Sequence, residues 1–278
     1  MTTPTHPAAT PPSPAAAAAA ATAAAPPAVL IDIRQGAAWI TLNRPGQRNA
    51  LSAALVNALA DLVDAALANP AVRCIVLTGA GPAFCAGADL KSPPGQVVYG
   101  RAGVSLADVL VRLQDSPKPV IAAINGAAFA GGLGLVGACD IVVTVDEAVF
   151  SFSEVKIGVI PAVISVVCLP KLGPHHGMKL LLTGERFSGT RAVEVGLAHR
   201  AVPAAQLLAA VQEEIDALCA AGPIALAECK KLVRLVPTLP RDEAFRVTSE
   251  WSARMFRSAE AAEGMAAFRE KRPPAWLK

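Results

Sequence analysis

The sequence predicts an α/β domain of largely parallel strands covered by helices, followed by an all-helical C-terminal part. Three observations carry that expectation. Short β-branched runs recur at 29–33, 39–42, 74–78, 120–124 and 141–145, helical patterns lie between them, and no strand-like run follows about residue 204.

Residues 1–28 are almost entirely Ala, Pro, Thr and Ser. A segment with so few large apolar side chains cannot offset the entropy of ordering, so a disordered arm is expected there. It has no cationic start and no leucine-rich centre, which sets it apart from a secretory signal. The runs 29–33 and 39–42 read as the first strands. Leu51, Leu55, Leu59, Leu62 and Leu67 then recur close to once per helical turn, and Asn69-Pro70 ends the helix they define. The strand 74–78 leads into LTGAGPAFCAGADL (77–90), where glycine and proline force turns. The strands 120–124 and 141–145 flank a glycine-rich helix that starts near Gly131. Beyond residue 204, LLAAVQEEIDALCAAG and the run 224–235 have helical period. The chain thus divides into an arm (1–28), an α/β core (29–203) and a helical region (204–278).

Length and composition narrow the function classes. With 278 residues the chain can bury the core of one large domain or two modest ones. A formal net charge of +3 and a single tyrosine give neither the field nor the stacking platform that nucleic-acid binding needs. Gly, Pro or charges interrupt every apolar run before about 18 residues, so no membrane span is expected and the protein reads as soluble and cytoplasmic. Cys74, Cys85, Cys139, Cys168, Cys219 and Cys229 stand singly in apolar or helical contexts and read as reduced core residues. His6, His175, His176 and His199 form no ligand set, so no metal is expected. Residues 230–278 hold eleven Lys or Arg against six Asp or Glu, which fits an anionic partner and equally a solvated helical surface.

The stretch AFAGGLGLVGACD (128–140) contains G-x-G-x-x-G at Gly132, Gly134 and Gly137. A dinucleotide fingerprint places the first glycine directly after a strand, but here Asn125 to Gly131 intervene. Glu154 follows Gly134 by 20 residues, as a ribose-binding carboxylate would, yet it lies in SFSEVKIGVIP after a strand has finished. Two other readings remain. The glycines let a helix pack closely, at roughly 0.5–1 kcal/mol each relative to Ala. Alternatively, the first turn of that helix offers unpaired N–H groups, with Gly131 allowing an anionic oxygen to approach. A second exposed turn at Ala86-Gly87-Ala88-Asp89 could supply a second donor, and two such donors make an oxyanion hole.

At these residues the chain resembles the crotonase superfamily, the enoyl-CoA hydratase/isomerase family. The resemblance rests on ITLNRPGQRNAL (40–51), VLTGAGPAFCAGADLK (76–91), AAINGAAFAGGLGLVGACD (122–140), FSFSEVKIGVIP (150–161) and EGMAAFREKRPPAW (263–276), and runs from about residue 29 to the C-terminus. It implies a spiral of β-β-α turns and a C-terminal helical region that packs homotrimers, commonly paired into hexamers. It also implies an acyl-CoA thioester substrate, with coenzyme A as part of that substrate and no separate cofactor. The thioester oxygen would be held by the N–H groups of Ala88 and Gly131. Backbone groups of Ala86 and Leu90 would meet the adenine, Lys91 and the Arg48 loop would approach the phosphates, and Phe268 and Lys271 would complete the CoA site, often from a neighbouring subunit.

Hydratases of this family use two glutamates, and only one is present. Glu154 aligns with the second, between Phe150, Phe152 and Ile157, an apolar setting that raises a carboxyl pKa. Gly134 stands at the position of the first, one turn beyond Gly131, where a carboxylate would point at the β-carbon. The expected activity is therefore a one-glutamate enoyl-CoA hydratase, with SEVKIGVIPAVIS resembling bacterial hydratases of the methylglutaconyl-CoA type. A Δ3,Δ2-enoyl-CoA isomerase and a non-catalytic acyl-CoA-binding member are the alternatives.

Overall fold

Apolar runs of five or six residues form most of one sheet, and runs of two or three residues, too short to stand out in the sequence, form another. The computed structural model describes residues 26–92, 95–96 and 102–277. Residues 1–25 of the expected arm lie outside them. The order is β1 (Val29–Arg34), β2 (Ala37–Leu42), α1 (Ala53–Ala68), β3 (Cys74–Gly79), β4 (Ala83–Cys85), α2 (Leu106–Asp115), β5 (Val120–Ile124), β6 (Ala127–Phe129), α3 (Gly131–Ala138), β7 (Ile141–Val145), β8 (Val149–Ser151), α4 (Ala162–Thr183), β9 (Phe187–Ser188), α5 (Gly189–Glu194) and β10 (Arg200–Val202). Four helices follow: α6 (Leu207–Ala220), α7 (Pro223–Leu235), α8 (Arg241–Phe256) and α9 (Ala259–Glu270).

The larger sheet runs β1-β2-β3-β5-β7-β10 and the smaller β4-β6-β8-β9. Each of the pairs β3/β4, β5/β6 and β7/β8 places its first strand in the large sheet and its second in the small one before a helix closes the turn. That is the crotonase spiral. From β2 onward the large sheet is parallel, with Ile40 opposite Leu77, Val76 opposite Ile121 and Ala122 opposite Val142. All five residues of β5 are buried, as expected of a parallel strand covered on both faces.

Helix starts follow local chemistry. The Ser52 hydroxyl accepts from Leu55 N–H at α1, and Ser105 and Asp108 form a capping box at α2. The helix α4 bends at Gly173 (φ 64°, ψ 169°), just before Pro174. The C-terminal helices are fastened to the core by polar contacts. Lys230 of α7 pairs with Asp140 at 2.6 Å, and the same carboxylate accepts from Val120 N–H at 2.7 Å. Trp276 folds back to donate to Ala220 O, while Arg73 donates to Ala221 O and Trp276 O. Four of the cysteines are buried, but Cys219 is half-buried and Cys229 exposed, so those two depart from the expected core role. No helix among the described residues is long and apolar enough to cross a membrane.

One polar side chain organises the loop between β2 and α1. Asn49 is fully buried with φ 57°; its Oδ1 accepts from Arg44 N–H at 2.8 Å, and its Nδ2 donates to Ala80 O and Ala83 O at 3.0 and 2.8 Å. Replacement by Ala strands those groups and puts a Cβ residue with no local hydrogen bond in the left-handed region. Asn49→Ala is expected to lower unfolding free energy by about 2–4 kcal/mol in urea titration.

Candidate active site

Three neighbouring strands of the small sheet are parallel: Cys85 sits opposite Ala128, and Phe129 opposite Ser151. Each hands over, within three residues of its end, to one of the predicted site residues: β4 to Ala88, β6 to Gly131 and β8 to Glu154. Ligands gather beyond the carboxyl ends of parallel strands, and here three such ends lie side by side.

The first donor turn is held by Leu51, which pairs with Ala88 in a parallel bridge. Leu51 N–H donates to Gly87 O at 2.8 Å, and Asp89 N–H donates to Leu51 O at 3.1 Å. Ala88 contributes no N–H to that bridge. Gly87 has φ +91°, and a Cβ there would lie 2.9 Å from Ala130 Cβ and 3.4 Å from Gly131 N, so the two donor turns touch. The second turn carries a backbone outlier: Ala130 has φ 47° and ψ −121° and is held by its N–H to Ser151 O at 3.1 Å. Such a conformation costs on the order of 1–3 kcal/mol and persists only where its surroundings impose it. It delivers Gly131 as the first residue of α3, whose N–H has no intrahelical acceptor. Neither the Ala88 nor the Gly131 N–H meets a protein acceptor among the described residues. Two unspent donors at abutting turns, one at a helix start, can stabilise an oxygen that gains negative charge.

Glu154 lies in a short 3-10 turn, 153–157, after β8 and beside the fully buried Phe152. Its Oε2 is buried and has no hydrogen-bond partner among the described residues. Burial pushes its pKa up, and its own backbone N–H offsets this only in part. Cys168 on α4 feels the Glu154 charge, but burial is the main cause that pushes its thiol up to about 12, so it is no nucleophile at neutral pH. No cluster of three His, Cys, Asp or Glu residues able to hold a metal occurs among the described residues.

The G-x-G-x-x-G spacing is a packing device. A Cβ at Gly132 would lie 2.5 Å from Cys85 O, one at Gly134 2.5 Å from Ile164 Cγ2, and one at Gly137 2.8 Å from Cys168 Sγ. All eight residues of α3 are buried, between β4 and α4. Gly134 therefore faces Ile164 and Leu110, whose side chains lie against the position a Cβ at 134 would take. Ile164 carried no signal in the sequence, because contact with Gly134 depends on how α3 and α4 cross.

Of the residues expected around CoA, Arg48 and Ala86 are adjacent, with Ala86 N–H donating to Arg48 O at 3.0 Å. Leu90 is 79% exposed, and Lys91 follows it with its N–H bonded to Asp89 Oδ1, while Asp89 Oδ2 pairs with Arg44 at 3.2 Å. Phe268, 86% exposed, and Lys271, the left-handed cap of α9, lie on the C-terminal helices.

The Enoyl-CoA hydratase/isomerase family matches residues 32–278. An enoyl-CoA hydratase of Mycobacterium tuberculosis is 38% identical over 88% of this chain and 94% of its own length. The carnitinyl-CoA dehydratase of Proteus mirabilis is 35% identical over 85% of this chain and 93% of its own. Among solved structures, an enoyl-CoA hydratase of Mycobacterium smegmatis superposes with a TM-score of 0.82 at 31% identity, covering 91% of this chain and all of that one.

The raised Glu154 pKa sets a pH dependence of stability. Between the unfolded carboxyl pKa and the raised folded one, the native state binds more protons, so stability falls as pH rises through that window. Glu154→Gln removes the penalty. Its melting temperature is expected to exceed that of the wild type at pH 8 and to converge with it near pH 4, as read by calorimetry across that range.

Proposed function

The chain belongs to the enoyl-CoA hydratase/isomerase family, whose members act on acyl-CoA thioesters, and from that premise we propose that it hydrates a 2-enoyl-CoA thioester with Glu154 as its single acid/base carboxylate. The observation that carries the reading is the buried, unpartnered Glu154 oxygen past the end of β8, with two unspent backbone donors past the ends of the parallel strands β4 and β6. The thioester oxygen takes the N–H groups of Ala88 and Gly131, which grip harder as enolate charge grows. Glu154 accepts a proton from water as the water oxygen bonds to the β-carbon, and the same carboxyl returns a proton to the α-carbon. A carboxyl pKa raised by burial suits a group that must both take and give a proton near neutral pH.

A second reading is favoured by one observation. The atoms nearest a side chain at Gly134 are apolar ones of Ile164 and Leu110, a setting that favours a Δ3,Δ2-enoyl-CoA isomerase, which needs no water. One base suffices to move a proton between the α- and γ-carbons. Parallel panels of 2-enoyl- and 3-enoyl-CoA thioesters separate the two, because hydration adds the mass of one water and isomerisation adds none.

In the same reading the Ala86 carbonyl and the Leu90 backbone meet the adenine, Arg48 and Lys91 the phosphates, and Phe268 and Lys271 serve the CoA of a neighbouring copy in a homotrimer or hexamer. Exposed Val163 and Val166 on α4 and Phe245 and Phe256 on α8 support assembly, since such apolar faces are rarely left to water. Light scattering is expected to give a trimer or hexamer, and a monomer with full CoA affinity contradicts it.

Glu154→Gln is expected to keep CoA affinity and KM while kcat falls toward the upper end of the roughly 10²–10⁴-fold range of general acid/base catalysis. Steady-state kinetics on the best thioester check this. Retention of more than about a tenth of wild-type kcat, far above that range, refutes Glu154 as the acid/base.

A further inference from the structure

The space beside the donor turn is closed by one side chain. Gly134 stands one turn beyond Gly131 on α3, so a side chain at 134 would be the one from that helix nearest the free N–H. None fits. A Cβ there would lie 2.5 Å from Cγ2 and 3.2 Å from Cβ of Ile164, and 3.4 Å from Leu110 Cδ1. Both neighbours are 3% exposed, one in the first turn of α4 and one on α2, so neither can swing aside without disturbing a packed seam. Ile164 shares its face of α4 with Cys168, one turn on, whose Sγ would lie 2.8 Å from a Cβ at Gly137. The apolar seam thus runs along α3 from Gly134 to Gly137.

We propose that Ile164 is the specificity-determining residue of this site: by filling the volume over Gly134 it limits the chain to one acid/base carboxylate and keeps the second position dry. This rests on the acyl-CoA reading above. Water addition must break a water O–H bond, form C–O at the β-carbon and C–H at the α-carbon, and with Ile164 over Gly134 the side chain of residue 134 gives that water no second carboxylate. A shift of a proton between the α- and γ-carbons uses Glu154 alone and consumes nothing. Ile164 therefore sets the ratio of hydration to isomerisation, and substrates carrying their own polar group near the β-carbon gain most, because they replace the missing anchor.

The test uses the full chain with Gly134→Glu, Ile164→Gly and both together. Gly134→Glu alone is expected to lose several degrees in melting temperature, and Ile164→Gly to recover most of that loss in the double variant, so that the shifts are not additive. The double variant is expected to raise the ratio of crotonyl-CoA hydration to 3-enoyl-CoA isomerisation by about tenfold or more, as an added acid/base group can. A buried carboxylate that titrates there also adds a second limb to the pH–rate profile, which a merely structural repair does not. Gly134→Glu melting with the wild type, additive shifts, or a ratio within about twofold of wild type each overturns the proposal. Failure of the acyl-CoA reading looks different: the wild type then turns over neither thioester, while the coupling between 134 and 164 still appears in the melting data.

Discussion

The parallel pairing of β4, β6 and β8 is the constraint on which the site depends. Main-chain hydrogen bonds fix the three strands relative to one another, so three loops far apart in sequence emerge at one edge in one register. The large sheet positions them in turn, because each small strand follows a fully or mostly buried strand of that sheet. Asn49 adds the cross-tie: one buried amide links the loop before α1 to the β3–β4 turn, and Leu51 then pairs with Ala88. A loop held by backbone ladders can keep two N–H donors unspent, since the frame and not the donors carries its geometry.

The strain at Ala130 belongs to the same frame. A left-handed alanine before a helix is unfavourable in isolation, but its N–H is bonded to β8 and its Cβ is met by the Gly87 turn of the other donor loop. Relaxing it would rotate Gly131 N–H away from that turn. The strain is thus a by-product of aiming a helix start at a neighbouring loop, which is where backbone outliers recur in functional sites.

The five long strands and the helices α1, α6 and α7 were legible in the sequence, because β-branched runs and the Leu51 to Leu67 stripe state their own periods. The strands β4, β6, β8 and β9 were not. Two or three residues such as Ala83–Cys85 or Phe187–Ser188 carry no period, and their pairing is decided by the sheet they join. The site divides the same way. Glu154, Ala88 and Gly131 could be singled out from turn chemistry and from resemblance, whereas Ile164 could not, since an isoleucine in an apolar run looks like any core residue. The glycine spacing misleads for a related reason: close helix packing and pyrophosphate binding both require missing side chains, so the letters alone do not separate them.

Glu154 shows how the frame trades stability for chemistry. A carboxyl with one buried oxygen unpartnered is costly in its charged form, and a protein selected for stability alone would place a hydrophobe there. The cost is local, because the carboxyl sits on a short turn whose neighbours Phe150, Phe152 and Phe187 stack without it. The ladder of β8 and the α4 seam therefore hold whether the group is charged or neutral. That independence would let Glu154, in the proposed reaction, change protonation without disturbing the strands that carry the two donor turns. In the proposed reaction, with Ile164 packed over Gly134, proton transfer falls on a group whose aromatic neighbours stack without it.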